Sequence, residues 1–190
     1  MSPSLAGRIH MQEVKTIADV QFTEYLSPEL IAHRIQSMAQ QIDEHYAGIE
    51  SIVVIIVMKG AFIFAADLVR QMTTPMIIEM IQASSYKGGM SSTGTVSFFN
   101  LNINLSGKHI LIIEDIIDSG RTVTELKKYA SSQNIASCMI AALCSKSDQH
   151  TLDLNNDCIG FEIPNVFIVG YGLDYQEQGR ELPGIWQCIS

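Results

Sequence analysis

The sequence predicts an α/β fold, a doubly wound parallel sheet flanked by helices, and three observations carry that prediction. Within the expected strand Ser51–Met58, the run Ile52–Met58 is apolar without interruption. Further apolar runs at His109–Ile113, Ala136–Leu143 and Val166–Gly170 alternate with stretches of helical periodicity. No internal repeat or low-complexity tract competes with that alternation. A strand that is apolar on both faces is covered by helices on both sides, and strands separated by helices imply right-handed crossovers between parallel neighbours.

The first twenty or so residues have mixed polarity with no strong period, so a partly loose start is expected. Ser27-Pro28-Glu29 offers an N-cap hydroxyl, a proline at the first helical position and an acid in the first turn. Ile31, Ile35, Met38 and Ile42 follow at helical spacing, and the helix is expected to reach about Gly48. The strand Ser51–Met58 comes next, then a helix from about Ala61 to Met72 with Phe62, Ala65, Ala66 and Val69 on one face. Thr122–Ser131 is the helix after the strand His109–Ile113.

With 190 residues and 47% hydrophobic composition, the chain can bury one substantial core but not two ordinary ones. Twenty Asp and Glu against twelve Lys and Arg leave a formal charge of -8, which disfavours a nucleic-acid partner because such binding needs cations to displace counterions. The longest apolar run is far shorter than the roughly 20 residues that cross a bilayer. With no charged-then-apolar leader pattern, a cytoplasmic location and no membrane partner are expected. Cys138, Cys144, Cys158 and Cys188 contain no C-x-x-C pair, so reduced, structural thiols are expected rather than a zinc or redox site.

Ligands of doubly wound sheets bind beyond the carboxyl ends of the strands. After His109–Ile113 stands Glu114-Asp115-Ile116-Ile117-Asp118-Ser119-Gly120-Arg121-Thr122, followed by a helix. Acids at a strand end suit ribose hydroxyls or a hard cation such as Mg²⁺. Ser119 to Thr122 lie at a helix start, where unpaired N–H groups and the positive dipole end form an anion cradle, and glycine lets the backbone close on a phosphate. The plainer alternative is that Asp118 or Ser119 merely caps the helix. Gly107-Lys108 is followed by His109 and forms no Walker loop.

Ile110 to Thr122 resembles the phosphoribosyl pyrophosphate motif of the type I phosphoribosyltransferases, and its two isoleucines before Asp118 resemble the hypoxanthine-guanine branch. Val57-Met58-Lys59-Gly60 resembles the family's pyrophosphate loop, in which the peptide after the lysine position is commonly cis. The segment Ser84 to Gly94 resembles the mobile lid, with Ser85 and Tyr86 at its start; read alone, it could equally be a surface loop. Gly160 to Tyr175, with Lys146 before it, resembles the base-recognition region. Read alone, Phe167 would be a core aromatic and Lys146 a surface lysine.

The resemblance spans about Glu24 to Pro183. It implies a single domain over 1–190, a core at about 48–175, and a small hood lobe built from the N- and C-terminal segments. The reaction it implies moves the phosphoribosyl group to hypoxanthine, and also guanine, with Mg²⁺ as cofactor and a homodimer or homotetramer as the assembly. By the same resemblance Asp118 is catalytic, and Glu114 and Asp115 serve the ribose and metal region. Asp118, Ser119, Gly120, Arg121 and Thr122 hold the 5'-phosphate. Lys59, Gly60 and Arg180 meet pyrophosphate. Lys146, Phe167, Ile168 and Asp174 serve the purine, and Asp174 joins Glu114 and Asp115 at the metal.

The sequence departs from the family at three places. Val166 stands where many relatives have lysine, Ser147-Asp148-Gln149-His150 replaces a basic stretch, and Gly94 replaces a charged lid residue. These departures bear on which purine is preferred. Transferases for xanthine, adenine or orotate are the neighbouring readings. A phosphoribosyl pyrophosphate sensor that binds nucleic acid, or a phosphoacceptor domain built on Asp115, are more distant ones.

Overall fold

The computed structural model describes residues 13–85, 96–99 and 103–189. These form two sheets. Strands β3 (Ile52–Met58), β4 (Met76–Ser85), β5 (Val96–Phe99), β6 (His109–Ile117), β7 (Ser137–Ser145) and β8 (Cys158–Glu162) make a six-stranded sheet in the order β5-β4-β3-β6-β7-β8. All its pairings are parallel except β4 with β5. From β3 the chain first adds β4 on one side and then β6, β7 and β8 on the other. The topological switch therefore lies between β3 and β6, the position beyond whose strand ends doubly wound sheets bind their ligands.

Helices α1 (Pro28–His45) and α2 (Phe62–Val69) pack on one face, and α3 (Arg121–Ser132) on the other. That two-sided cover is why β3 is apolar throughout: Ile52, Val54 and Ile56 enter one core and Val53, Ile55 and Val57 the other. Ser27 caps α1, its hydroxyl accepting from Leu30 N–H at 3.3 Å, and Pro28 begins the first turn. α2 stops at Val69, short of the expected Met72. The Asp43 carboxylate takes the N–H and hydroxyl of both Thr73 and Thr74, and Gln71 N–H folds back on Leu68 O at 3.0 Å, which turns the chain early.

The second sheet has the order β1-β2-β10-β9, with β1 (Val14–Ile17), β2 (Val20–Leu26), β9 (Ile168–Val169) and β10 (Ile185–Cys188) all antiparallel. The expected loose start is, from Val14 on, a hairpin closed over Phe22, Val169 and Trp186. The strand expected at Val166–Gly170 contracts to Ile168–Val169, because Val166 N–H turns back to Pro164 O. It joins this smaller sheet rather than the parallel one. Among the described residues no helix is long and apolar enough to cross a membrane, and Cys138, Cys144 and Cys158 are free thiols.

Candidate active site

β6 runs on through the acidic pair to Ile117, four residues past the expected end. Glu114, Ile116 and Ile117 keep pairing with Ala142, Cys144 and Ser145 of β7. Glu114 and Asp115 are thus carried on the strand itself. Glu114 is only 7% exposed, its Oε2 has no hydrogen-bond partner, and it lines a small cavity together with Ile116 to Val123. Asp115 lies instead against the end of β3, where a Cβ placed on Gly60 would come within 1.6 Å of its Oδ2.

The turn after β6 reaches α3 through Gly120, whose φ of +73° lies in the left-handed region that glycine enters without steric cost. Gly120 is the N-cap, and no side chain caps the helix. Neither Asp118 nor Ser119 has the capping role considered from sequence. The N–H groups of the first turn of α3 remain available to an anion beside Ser119, Arg121 and Thr122.

Burial, and secondarily the neighbouring Asp115 charge, push the Glu114 carboxyl well above the ordinary carboxylate range. Asp115 is pushed up to about 6, mainly by burial; backbone N–H groups and the Arg180 charge pull it down, while Asp174 adds to the rise. Two carboxylates in this condition favour a cation or hydroxyl donors at their side.

On the β3 side the cis peptide is Met58–Lys59, one bond before the expected position. The Lys59 carbonyl already accepts from Phe62 N–H at 3.3 Å and opens the turn into α2. Gly172, at φ +103°, brings its Cα so close to the Gly60 carbonyl that a Cβ would stand 2.0 Å from that oxygen. Arg180 donates to Gly172 O at 2.8 Å and pairs with Asp174 at 2.7 Å. Lys59, Gly60, Asp115, Asp174 and Arg180 therefore form one connected group.

Lys146 follows β7, its N–H bonded to Ile117 O at 2.9 Å, and its ammonium lies 3.3 Å from Asp118. The side chain is buried, unlike a surface lysine. Phe167 is 48% exposed and so is not a core aromatic; Tyr175 meets its ring edge-on at 5.7 Å and Phe22 packs at 6.2 Å. Ile168 is buried on β9. Nothing in the sequence pairs Tyr175 and Phe22 with Phe167, since their packing depends on the β2–β10–β9 sheet. Ser85 ends β4; Tyr86 and the lid through Gly94 lie outside the described residues.

The phosphoribosyl transferase domain family matches residues 21–176. The chain belongs to that family. As a phosphoribosyltransferase it is 39% identical to a hypoxanthine-guanine phosphoribosyltransferase of Aquifex aeolicus, over 85% of this chain and 91% of that protein. A hypoxanthine phosphoribosyltransferase of Salmonella typhimurium is 36% identical over 87% of this chain and 95% of its own length. The crystal structure of a hypoxanthine-guanine phosphoribosyltransferase from Bacillus anthracis superposes with a TM-score of 0.81 at 36% identity, covering 93% of this chain and 100% of that one.

Metal dependence is general to the phosphoribosyltransferase family. Among the described residues no three His, Cys, Asp or Glu side chains converge as a ready-made metal cage. The donors present nevertheless fit a hard cation: the orphaned Glu114 Oε2 and the carboxylates of Asp115 and Asp174 are all oxygen. Mg²⁺ characteristically takes one or two protein carboxylates and completes its shell with phosphate oxygens and water.

Proposed function

We propose that this phosphoribosyltransferase serves purine salvage, moving the 5-phosphoribosyl group from phosphoribosyl pyrophosphate to hypoxanthine, and also to guanine, to give IMP or GMP and pyrophosphate. The relatives named above support the base, and the observation that carries the reading is the Lys146–Asp118 pair. It sets a buried cation and an exposed carboxylate beside the uncapped start of α3. A 6-oxopurine offers a carbonyl oxygen to the first and an imidazole N–H to the second.

In the reaction the bond from the sugar C1 to pyrophosphate breaks and a bond from C1 to a purine nitrogen forms. Positive charge grows on the ribose and negative charge on the leaving group. Asp118 takes the proton from the purine imidazole as the nitrogen attacks. Lys59, the Gly60 backbone and Arg180 supply fixed positive charge and donors to the departing pyrophosphate. Asp118, Ser119, Gly120, Arg121 and Thr122 hold the 5'-phosphate, which does not react, so its binding energy orients C1. Phe167 offers an exposed ring face for stacking, and Ile168 backbone groups for the purine edge. Mg²⁺ beside Glu114, Asp115 and Asp174 supplies leaving-group neutralisation when bound. Ser85 and Tyr86 belong to the lid in this reading, which keeps water from the sugar cation.

The chain is proposed to act in the cytoplasm as a homodimer or homotetramer. The thiols of Cys138, Cys144 and Cys158 support a reducing compartment. Exposed Phe62, Ile78 and Met80, at 42%, 43% and 55%, support self-association. The test is a spectrophotometric screen of purine and pyrimidine bases with phosphoribosyl pyrophosphate and Mg²⁺. Turnover of hypoxanthine and guanine is expected; turnover confined to adenine, xanthine or orotate overturns the base assignment, and binding of phosphoribosyl pyrophosphate without turnover overturns the enzyme reading.

A further inference from the structure

One exposed acid outside the residues assigned so far touches both cations of the leaving-group side. Glu177 Oε2 lies 2.9 Å from Lys59 Nζ and 3.3 Å from Arg180 Nη2. Its backbone N–H donates to Asp174 Oδ2 at 2.9 Å, while Asp174 Oδ1 takes Arg180 at 2.7 Å. A single carboxylate oxygen thus occupies the point where two cations converge. Glu177 is kept there by its turn. Tyr175 and Gln178 exchange both backbone hydrogen bonds at 3.0 Å, and the two residues between them, Gln176 and Glu177, have φ of +52° and +63°.

That is the geometry of a tight two-residue hairpin, which ordinarily selects Asn and Gly because both central positions are left-handed. Long side chains are uncommon in that region and adopt it where surrounding contacts over-determine it. Here the contacts are those of the Glu177 carboxylate. Lys59, and after it Arg180, hold that carboxyl below the usual range, so it carries its charge throughout the neutral region.

We propose that Glu177 is an internal stand-in for pyrophosphate, which competes with the leaving group for Lys59 and Arg180 and thereby sets how tightly this enzyme holds phosphoribosyl pyrophosphate and its product. The inference rests on the assignment of Lys59, Gly60 and Arg180 to pyrophosphate. An anion entering between the two cations must first displace a carboxylate, so its apparent affinity falls. Because the same carboxylate returns as the anion departs, product release is favoured, a step that limits turnover in many transferases. Glu177 is solvent-exposed and its pairs are screened, so the competition is modest rather than blocking.

The experiment is initial-rate kinetics on the full chain with Mg²⁺, comparing the parent enzyme with Glu177→Gln, Lys59→Ala and the double variant. The readouts are the KM for phosphoribosyl pyrophosphate, the KM for hypoxanthine and the inhibition constant of added inorganic pyrophosphate. Glu177→Gln keeps the size of the side chain and removes its charge. It is expected to lower both the phosphoribosyl pyrophosphate KM and the pyrophosphate inhibition constant by about threefold to tenfold, the range of one or two screened ion pairs. The hypoxanthine KM stays where it was, and the gain shrinks in the Lys59→Ala background, since the two residues act through one contact. A merely structural Glu177 would give weaker binding and a lower melting temperature instead, and that result, or unchanged constants, overturns the proposal. If Lys59→Ala raises the inhibition constant while Glu177→Gln leaves it unchanged, the leaving-group assignment stands and only the competition fails. If Lys59→Ala leaves it unchanged, the assignment itself falls and takes the proposal with it.

Discussion

The Lys146 ammonium stands 3.3 Å from the Asp118 carboxylate, although the lysine side chain is 9% exposed and the aspartate 60%. The buried member is held rigidly at the end of β7, while the exposed one can turn toward a ligand. Asp118→Asn is therefore expected to lower kcat by about 10² or more, the usual weight of a positioned proton acceptor, while phosphoribosyl pyrophosphate still binds. Unchanged turnover would remove Asp118 from proton transfer.

Lys146→Ala is expected to raise KM for 6-oxopurines more than it lowers kcat, because the change removes the hydrogen-bond donor proposed for the base without touching the sugar. Steady-state kinetics with hypoxanthine and guanine check this. Parent-like constants for both bases would place Lys146 outside the base pocket.

Gly60→Ala and Gly172→Ala should each abolish most of the activity. The added methyl would stand 1.6 Å from Asp115 Oδ2 in the first case and 2.0 Å from the Gly60 carbonyl in the second, so the Asp115 carboxylate or the loop must move. Circular dichroism should report a folded protein in both. Parent-like rates from either variant would mean that the close approach of the two loops is dispensable.

Asp115 gives the metal-free, ligand-free protein a pH dependence of unusual sign for an acid. Its folded pKa of about 6 lies above the unfolded value of about 3.9, so folding takes up a proton between the two. Stability from this group is greatest below the unfolded value, declines as pH rises toward about 6, and is level above it. Glu114, raised in the same direction, adds to the decline. Melting temperatures at about pH 5 and about pH 7 should accordingly drop more in the parent than in Asp115→Asn. Equal drops would refute the burial argument.

Ser27→Ala should cost about 1 kcal/mol of stability, measured by urea denaturation, through loss of the hydroxyl that accepts from Leu30 N–H. Catalysis should be unaffected, since the cap lies at the start of α1. A stability change near zero would show that Pro28 alone fixes that end.

Elements with a local cause could be read from sequence, and elements with a distant one could not. Ser27-Pro28 and the Ile31 to Ile42 spacing place α1, and the unbroken apolar run of β3 follows from helices covering both faces. The Val14–Leu26 hairpin escapes because its partner, β10, lies at the far end of the chain. The sequence places the end of β6 at Ile113, where the apolar run gives way to Glu114 and Asp115. Here Ala142 pairs with Glu114, and Cys144 and Ser145 continue the ladder past the acids. The candidate site follows the same rule. The loop Asp118 to Thr122 is contiguous and legible, whereas the contacts of Gly60 with Asp115 and Gly172 join three separate segments. Glu177 carries no sequence signal, because its contact with Lys59 depends on two left-handed residues.

The aromatic and aliphatic pair proposed for the purine, Phe167 and Ile168, lies at β9 of the four-stranded sheet, while the turn proposed for the 5'-phosphate hangs from β6 of the six-stranded one. The proposed chemistry therefore straddles a seam between two separately braced scaffolds. Drift on one can retune which heterocycle is accepted without loosening the grip that the other keeps on the sugar.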